Sequence, residues 1–382
     1  MTKKRILLVG DGNHQFITNY TYWLKKEAKN NFVVDILSYN PLKEENKKYY
    51  DAIFRKSDDN ILYQVISKIK GVRRYYRFYL YKKLISKLPE YDIIHFHFIG
   101  ADSYYLVKYF RKNRTSKIIL SIWGSDMYRV NWVDAKGFVE TCKDADVLTF
   151  TNQKSIDYFK TKYNWGENNL KLCRFGLAPL ENLKSLTQSR EECKRFLDWN
   201  TKKRAITIGY NMAPAQQHFE ILRQFENEGI KRMADSIQLI LPITYGGTQE
   251  YKNQLVQRLT QLPYEYKIYD TFLTDEQVAY LRKASDIMIQ LQLTDQFSGS
   301  MLEHLFTCNV VITGSWLPYD TIKEHGAWFI EIDKLDELIN VIQEIIKNFE
   351  TIELKTKKNP PIIAKLGSWD KNIQDWLNLY EN

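Results

Sequence analysis

The sequence predicts an α/β protein with two domains, each built on a parallel β-sheet covered by helices. Three observations support this prediction. Short apolar segments alternate with helical patterns along both halves of the chain, the arrangement that produces parallel sheets. The length of 382 residues fits two or three domains. With 44% apolar and 26% charged residues, the composition is that of a soluble globular protein.

The first half is predicted to begin with a strand at Arg5–Val9, a loop at Gly10–Gln15 and a helix over about 16–29. The further predicted strands are Phe32–Ser38, Ile93–Phe98, Lys117–Ile122 and Asp146–Thr151. A polar connection over roughly 40–60 precedes a basic helix, and the later predicted helices are Ser103–Asn113, Trp132–Cys142 and Lys154–Lys162. Right-handed crossovers are expected to place the strand-to-helix loops along one edge of the sheet.

Residues 177–188 are predicted to be the linker, because Gly176–Pro179 interrupts the pattern. The second half then predicts strands at Arg204–Tyr210, Gln238–Ile243, Tyr266–Tyr269, Asp286–Leu291 and Ala327–Ile332. Its predicted helices are Ser189–Leu197, Gln217–Asn227, Gln249–Leu262, Asp275–Ala284, Met301–Cys308 and Leu335–Asn348. The expected domains are 1–180 and 189–362, followed by a C-terminal helix in 363–382 for which the N-terminal domain is a candidate partner.

Neither the cysteines nor the apolar runs indicate export. Cys142, Cys173, Cys193 and Cys308 are widely spaced without a C-x-x-C motif, which predicts neither a zinc site nor a disulfide framework. The apolar run Ile6–Val9 is too short for a signal peptide, and no run is long enough to span a membrane. A reducing cytoplasm is therefore the expected compartment.

The net charge of +9 is concentrated in one segment. Between Ile61 and Pro89 there is no acidic residue, and basic side chains over 68–87 alternate with tyrosines and Phe78. Such a helix suits the inner surface of an anionic membrane. A solvated helix face whose aromatic residues lie in the core, or a site for another anion, also fits. Nucleic acid is disfavoured, because no recognised binding motif accompanies the segment.

The most informative stretch covers residues 285–314, which predict a strand, a small polar loop, a helix and a second strand. Backbone N–H groups at a helix start are unpaired and attract anions. Gly299 permits close approach of a ligand, and Glu303 could accept both hydroxyls of a ribose. The binding candidates here are Asp295, Ser298, Gly299, Ser300 and Glu303. Alternatively, Ser300 and Glu303 form a capping box that serves only the helix itself, as is also predicted for Thr274–Gln277.

Motifs in a common order carry a family resemblance. Asp295–Glu303 is similar to the E-x7-E motif of retaining sugar transferases, with Asp as the first acid. Trp123–Asp126, Gly209–His218 and Leu241–Gly246 are similar to the W-G-x-D, G-N-S with N-N-H, and P-x-x-Y-G motifs of N-acetylfucosaminyl-lipid II transferases of enterobacterial common antigen. Gln216 and Gln217 replace the two Asn of that family. The chain thus resembles a GT-B glycosyltransferase, with two Rossmann-like domains whose parallel sheets face a central cleft.

This resemblance implies a donor site in the second domain. The donor would be a nucleotide-diphosphate sugar, with Glu303 on its ribose, and no cofactor or metal is expected. Further donor contacts are expected from Asn211, Tyr245, Phe272 and Leu273. Asn211 could instead form an Asx-turn, and His218 could be a packing residue. The Arg and Lys that the retaining family uses on the diphosphate are missing between Gly209 and Phe219, so that charge must be balanced by helix dipoles, Arg174 or a more distant cation.

In the first domain, the acceptor hydroxyl needs a base or a donor phosphate to take its proton. Asp126 is the first candidate for the base, His14 the second and Asp11 the third. Asp11, Asn13 and His97 are candidates for acceptor binding. His95 and His97 share one face of a strand, where a metal pair or hydrogen-bonded strand histidines are the alternatives. Inversion with Asp126 as base is weakly favoured over retention.

The resulting hypothesis is a cytoplasmic glycosyltransferase that associates peripherally with the membrane. It would transfer a hexosyl or N-acetylhexosaminyl group to a polyprenyl-linked saccharide during assembly of a bacterial surface polysaccharide such as capsule or O-antigen. Two alternatives stay open. One is a non-catalytic GT-B subunit that stabilises a partner transferase, suggested by the missing Arg/Lys pair. The other is a GT-B nucleotide-sugar epimerase.

Overall fold

The computed structural model describes residues 3–28, 31–56, 72–128, 132–295 and 297–381. The predicted basic residues Lys68 and Lys70 lie outside these ranges. The chain divides into two compact units, one formed by Met1–Gly176 with Trp369–Asn382 and the other by Leu177–Ser368. Each unit is an α/β domain with its own core.

The first unit contains a seven-stranded parallel sheet in the order β3-β2-β1-β4-β5-β6-β7. Its strands are β1 (Lys4–Gly10), β2 (Phe32–Ser38), β3 (Ile53–Phe54), β4 (Ile93–His97), β5 (Lys117–Ser121), β6 (Val147–Phe150) and β7 (Leu170–Leu172). Its helices before the linker are α1 (Gln15–Glu27), α2 (Glu44–Lys47), α3 (Val72–Ile85), α4 (Ala101–Asn113), α5 (Ser125–Tyr128), α6 (Trp132–Lys143) and α7 (Gln153–Tyr163).

The second unit contains a six-stranded parallel sheet in the order β10-β9-β8-β11-β12-β13. Its strands are β8 (Arg204–Ile208), β9 (Ile237–Pro242), β10 (Glu265–Tyr269), β11 (Ile287–Gln290), β12 (Val310–Gly314) and β13 (Ile330–Ile332). Its α-helices are α8 (Leu180–Ser185), α9 (Arg190–Phe196), α10 (His218–Gln224), α11 (Glu228–Lys231), α12 (Gln249–Thr260), α13 (Asp275–Ala284), α14 (Gly299–Phe306), α15 (Asp320–Glu324), α16 (Leu338–Lys347), α17 (Phe349–Thr356) and α18 (Asn359–Gly367). The last helix, α19 (Trp369–Glu381), belongs to the first unit.

The predicted α/β class with two parallel sheets is confirmed. Every strand predicted from an apolar run is present, with ends that shift by a few residues. The edge strands β3 and β7 were not predicted, because two or three residues are too few to show a periodic pattern. Part of the predicted linker, Leu180–Ser185, is helical.

Four aspartates repeat one hydrogen-bonding arrangement at the amino ends of strands. In each case the aspartate N–H donates to the carbonyl of a residue on the neighbouring strand, at 2.9–3.0 Å, and its carboxylate accepts the N–H of that same residue, at 2.7–2.8 Å. The pairs are Asp51 with Val34, Asp92 with Arg5, Asp146 with Ile118, and Asp286 with Ala205. Two hydrogen bonds at one point fix the register of neighbouring strands and therefore align their carboxyl ends.

Asp286 is also the centre of a buried charge cluster in the second unit. Its side chain is fully buried, and Lys194 donates to it at 2.6 Å. The guanidinium groups of Arg204 and Arg190 lie 3.4 and 3.5 Å from its other oxygen. The carboxylate therefore balances several cations near the amino end of β11.

The C-terminal helix α19 packs against α1 and the core of the first unit. The hydroxyls of Tyr20 and Tyr380 are 2.6 Å apart, and Trp376 Nε1 donates to the carbonyl of Arg174 at 3.0 Å. Gly176 lies so close to Trp369 that a β-carbon would sit 2.3 Å from its indole. Within the described residues, no helix has both the length and the hydropathy needed to cross a bilayer.

We predict that Asp286→Ala destabilises the protein by about 3–5 kcal/mol, because it leaves the buried Lys194 ammonium without its carboxylate. Urea unfolding followed by circular dichroism measures the change. Glu140→Ala is the matched control, since Glu140 pairs with Lys143 on the surface of a helix and its loss should change stability little. Equal stability of the Asp286→Ala variant and the wild type would contradict the role of this cluster.

Candidate functional site

Loops at the carboxyl ends of the second sheet carry the residues predicted to bind a donor. They follow β8, β9, β10 and β11, the four adjacent strands on one side of that sheet. Ligands of open α/β sheets bind at this edge. All of these loops belong to one unit, so the geometry below is that of a single domain.

The N-terminus of α14 has polar groups that lack a hydrogen-bond partner among the described residues. Ser298 caps the helix, and its hydroxyl accepts the N–H of Met301 at 3.2 Å. Ser300 is buried, yet its hydroxyl has no hydrogen-bond partner among the described residues. A β-carbon on Gly299 would lie 3.5 Å from a methyl group of Leu177 and 3.8 Å from Glu303 Oε1. The backbone at the helix start therefore lies close to the carboxylate, and its N–H groups are of the kind that bind an anionic ligand.

Glu303 does not form the capping box that the sequence left open. Its Oε2 accepts a hydrogen bond from Nε of Arg282 on α13, at 2.9 Å, while Oε1 has no hydrogen-bond partner among the described residues. Burial raises the pKa of Glu303, and the nearby Arg282 charge opposes that shift. The capping box predicted at Thr274–Gln277, by contrast, is formed. Glu303 therefore has one oxygen fixed by the protein and one available to a ligand.

Asp295, the first acid of the D-x7-E motif, is anchored by a hydrogen bond from the Tyr319 hydroxyl. Behind it lies a layer of buried amides. Gln216 donates to Gln292 at 3.0 Å, and Gln290 donates to the Tyr319 hydroxyl at 3.1 Å. Gln216, Gln290 and Gln292 each retain one amide atom without a partner among the described residues. This layer supports the loop after β11 with polar contacts.

The loop after β8 has a compact geometry that uses most of its own polar groups. Gly209 adopts a φ of 63°, which favours glycine. Asn211 forms the Asx-turn, with its side-chain oxygen accepting the N–H of Ala213 at 2.9 Å. His218 is buried against Tyr251, and burial lowers its pKa to about 4. His218 is therefore neutral near pH 7 and supplies no positive charge to a phosphate.

Exposed aromatic rings on the next two loops stack on each other. Tyr245, after β9, and Phe272, after β10, have nearly parallel rings with centroids 5.8 Å apart, and both are exposed. Although part of the ring is exposed, loss of water around the hydroxyl raises the pKa of Tyr245, and a hydrogen bond with Asn211 and the charge of Arg282 lower it. The Glu303 charge raises it further, so the tyrosine hydroxyl lies near that ion pair. Leu273 packs instead against the apolar cluster that contains Trp199. A planar base could stack on the exposed rings.

In the first unit, Asp126 follows β5, where the sequence predicted a loop, but it lies in the first turn of the short helix α5 and is buried. Its Oδ1 accepts the N–H groups of Trp123 and Gly124 at 2.9 and 2.8 Å, and its Oδ2 accepts the N–H of Ile99 at 2.9 Å. The carboxylate thus joins the loops after β4 and β5. Its role as the catalytic base stays a prediction.

His14 caps helix α1, since its Nδ1 accepts the N–H of Phe16 at 3.2 Å. In this tautomer the proton is on Nε2, so the exposed edge of the ring is a hydrogen-bond donor. The ring lies 4.7 Å from the Trp123 ring, and loss of surrounding water lowers the pKa of His14. Taking a proton on Nε2 would require the cap to break first.

The other candidates in the loop after β1 hold neighbouring segments together. Asp11 accepts from the N–H of Asn13 at 3.1 Å and from the amide of Asn40 at 2.9 Å. Asn13 donates to the carbonyl of Pro41 at 2.7 Å and accepts the N–H of Lys43 at 2.8 Å. These contacts fix the loop; a part in acceptor binding stays a prediction for both residues.

His95 and His97 are fully buried and their rings pack 4.1 Å apart. His95 is hydrogen-bonded through Nδ1 to Tyr380 and through Nε2 to Ser121, as the strand-histidine alternative requires. His97 has two ring nitrogens without partners among the described residues, and burial lowers its pKa to about 3. No group of three or more His, Cys, Asp or Glu side chains suited to a metal occurs within the described ranges.

Sequence reasoning missed Arg282, the cation closest to the donor candidates. It lies on the helix before β11, 21 positions from Glu303, so no local motif connects the two residues. The one available signal was negative: the loop after β8 lacks Arg and Lys, so a cation must come from elsewhere. Arg174, the alternative named from the sequence, donates to the carbonyl of Thr151 in the first unit.

Comparisons with known proteins bear on the fold. Residues 5–152 match a family model described as glycosyl transferase 4-like. Similar solved structures include HepE from Anabaena in complex with UDP and glucose (TM-score 0.76, 14% identity, covering 99% of both chains). Sucrose-phosphate synthase from Thermosynechococcus elongatus has a TM-score of 0.73 at 13% identity, with 99% of this chain and 98% of that chain covered.

A glycosyltransferase from Rickettsia africae is similar to the same degree, with a TM-score of 0.72 at 14% identity and 100% and 98% coverage. The chain has the GT-B fold. At these sequence identities the structural similarity establishes the GT-B fold and does not identify the substrates. A search of curated protein sequences found no match.

We predict that stability depends on pH through Asp126. Burial raises its pKa from an ordinary 3.8 to about 6. The protonated carboxyl is therefore favoured in the folded state, and its stabilising effect is full below about pH 4. That effect is lost as the pH rises through 6, a loss on the order of 3 kcal/mol.

Urea unfolding of the wild type and Asp126→Asn at steps from pH 4 to 7 measures this dependence. The stability of the wild type relative to the variant should fall as the pH rises, because Asn does not titrate. Asp157→Asn, an exposed position on α7, is the control and should follow the wild-type curve. A relative stability that rises with pH would contradict the prediction.

Proposed function

We propose that the protein is a glycosyltransferase that uses a nucleotide-diphosphate sugar as its donor. The observation that carries this proposal is the set of unfilled polar groups at the start of α14. Open N–H groups and the Ser300 hydroxyl suit phosphate oxygens, and Glu303 Oε1 suits the two hydroxyls of a ribose. The exposed Tyr245 and Phe272 rings offer a stacking surface for the base. The family model and the GT-B fold support the same chemistry.

Titration calorimetry with a panel of nucleoside diphosphates and their sugars tests the proposal. We expect one base series to bind, UDP being the first probe because HepE was solved with it. Glu303→Gln should weaken binding by about 10- to 100-fold, since a hydrogen bond to a charged group contributes about 1.5–3 kcal/mol. Glu350→Gln, which alters an exposed ion pair with Arg204, is the control. Absence of binding by the wild type to every diphosphate would refute the proposal.

Sugar transfer itself would proceed without a metal ion, with the donor diphosphate stabilised by the protein as it departs. The burial of Asp126 beneath three N–H groups favours retention over inversion, because a donor phosphate oxygen can then take the acceptor proton in place of a protein base. The anomeric configuration of the product, measured by NMR, decides between the two. An inverted product that is lost in Asp126→Asn would restore Asp126 as the base.

The acceptor in this proposal is a polyprenyl-linked saccharide at the inner face of the cytoplasmic membrane, as in the resemblance to N-acetylfucosaminyl-lipid II transferases. Helix α3 supports membrane association. Tyr81 and Ile85 are buried on one side, while Tyr75 and Tyr79 are 78% and 56% exposed on the other. Lys82 and Lys83 continue that exposed face, because residues three and four apart on a helix are neighbours. Such a face combines apolar insertion with attraction to anionic lipid.

We predict that Lys82→Glu with Lys83→Glu weakens binding to vesicles of phosphatidylglycerol and phosphatidylcholine by at least about 10-fold, since each lysine near an anionic surface contributes about 1 kcal/mol. Co-sedimentation measures the binding. Lys347→Glu with Lys365→Glu, at exposed positions on α16 and α18, changes the net charge equally and is the control. Equal loss in both variants would show that overall charge, not α3, governs binding.

The non-catalytic subunit remains a second candidate, because all three base candidates in the first unit, Asp126, His14 and Asp11, are held by structural hydrogen bonds. Transfer of sugar to a lipid-linked acceptor, or hydrolysis of the donor, by the purified chain alone would exclude it.

A further inference from the structure

Arg282 is a buried arginine whose hydrogen-bonding capacity is mostly unused. Its side chain is 9% exposed, and Nε donates to Glu303 Oε2 at 2.9 Å. The two terminal nitrogens, which carry four further N–H donors, make no hydrogen bond with any described residue. The terminal nitrogens are not among the fully buried atoms that lack a partner, so solvent or a ligand can reach these donors and satisfy them.

Other arginines of similar burial in this chain use these same atoms. Arg114, 14% exposed, donates through Nη2 to the carbonyls of Ile85 and Leu88 and pairs with Glu90 through Nη1. Arg190, 13% exposed, directs its terminal nitrogens to Glu353 and to oxygen atoms of the 308–309 segment. These arginines use their terminal nitrogens in structural contacts, although Nε of Arg190 is buried without a partner among the described residues. Arg282 differs in two ways. It is more buried than Arg114 and Arg190, and its terminal nitrogens make no hydrogen bond with a described residue.

The location of Arg282 indicates what it would bind. Its partner Glu303 lies beside Gly299 at the open N-terminus of α14, where the buried Ser300 hydroxyl also lacks a partner. The backbone of Arg282 is held in place as well, since its carbonyl accepts from Thr307 and Asn309. Two elements are thus fixed around a set of N–H and O–H donors, which is the chemistry of an oxyanion site.

The loop after β8 provides no competing cation. Residues 209–219 contain no Lys or Arg, and the buried His218 is neutral near pH 7 because its pKa lies at about 4. If Glu303 holds the ribose of a nucleotide, the negatively charged diphosphate comes close to the Glu303 carboxylate. The diphosphate and the carboxylate then repel each other. A guanidinium that bridges both groups removes that repulsion.

We propose that Arg282 binds the diphosphate of the donor through its terminal nitrogens while its Nε holds Glu303 in place for the ribose. The inference deepens the proposed function and rests on it. A forked guanidinium suits two phosphate oxygens, and its charge stabilises the nucleoside diphosphate as the bond to the sugar breaks. In this way α13 supplies a positive charge that the loop after β8 lacks.

The test compares uridine, UMP, UDP and inorganic pyrophosphate as ligands of the full chain, measured by titration calorimetry. The decisive quantity is the ratio of the Kd of uridine to the Kd of UDP, which reports the phosphate contribution alone. In Arg282→Gln this ratio should fall by about 10- to 100-fold, and binding of pyrophosphate should be lost. In Glu303→Gln both ligands should weaken together, leaving the ratio near the wild-type value. If the wild type prefers another base, the same series is used with that base.

Arg258→Gln is the matched control, since Arg258 forms an ion pair with Glu226 on the same unit and lies outside the donor loops. An unchanged ratio in Arg282→Gln, with both affinities reduced equally, would show that Arg282 only supports Glu303 and would overturn the proposal. If Arg282→Gln does not fold, Arg282→Lys decides the question. A single ammonium should lower the ratio by a smaller factor, and an unchanged ratio again overturns the proposal.

Failure of the proposed function gives a different result. A wild type that binds no nucleoside diphosphate but binds pyrophosphate through Arg282 would retain the anion site and refute the nucleotide donor. A wild type that binds neither ligand would refute both.

Discussion

The reciprocal hydrogen bonds of four aspartates fix the register of four pairs of neighbouring strands, including β8 and β11 of the candidate site. Parallel strands can slip along one another unless something fixes their register. Asp92 and Asp286 each join a strand to its neighbour through two hydrogen bonds at the amino end. Because the rise per residue is constant along parallel strands, fixing one end also aligns the other. The loops of the candidate site emerge from that aligned carboxyl edge.

Polar groups in the candidate regions fall into two classes. The side chains of Asp126 and Asn13 are hydrogen-bonded to backbone N–H and carbonyl groups. They stabilise the segments that contain them. Ser300 is buried and its hydroxyl has no partner among the described residues, and Glu303 and Arg282 each retain side-chain atoms without such a partner. Proteins rarely leave buried polar atoms unsatisfied without a functional reason. This contrast, more than residue type, distinguishes binding candidates from structural residues.

The comparisons and the local geometry support different halves of the proposal. The family model covers residues 5–152, in the first unit, whereas the unfilled polar groups are in the second. Structures at 12–14% identity share the fold over nearly the whole chain, which is expected because the alternating apolar pattern can be kept by many sequences. Side chains at the carboxyl edge of the sheet can differ between proteins that share this fold. In this chain the loop after β8 lacks Arg and Lys, and Arg282 lies on helix α13 instead.

The sequence alone determined the α/β class, the two sheets, most strands and the helix start near residue 299, because these depend on local periodicity and on glycine and capping residues. The capping box at Thr274–Gln277 was predicted and is formed, whereas only the tertiary structure decided between the two alternatives for Ser300 and Glu303. The two motifs look alike along the chain, but an arginine from a neighbouring helix reaches Glu303. The tertiary structure also showed that Asp126 is buried. Pairing and burial depend on residues distant in sequence, and no local pattern records them.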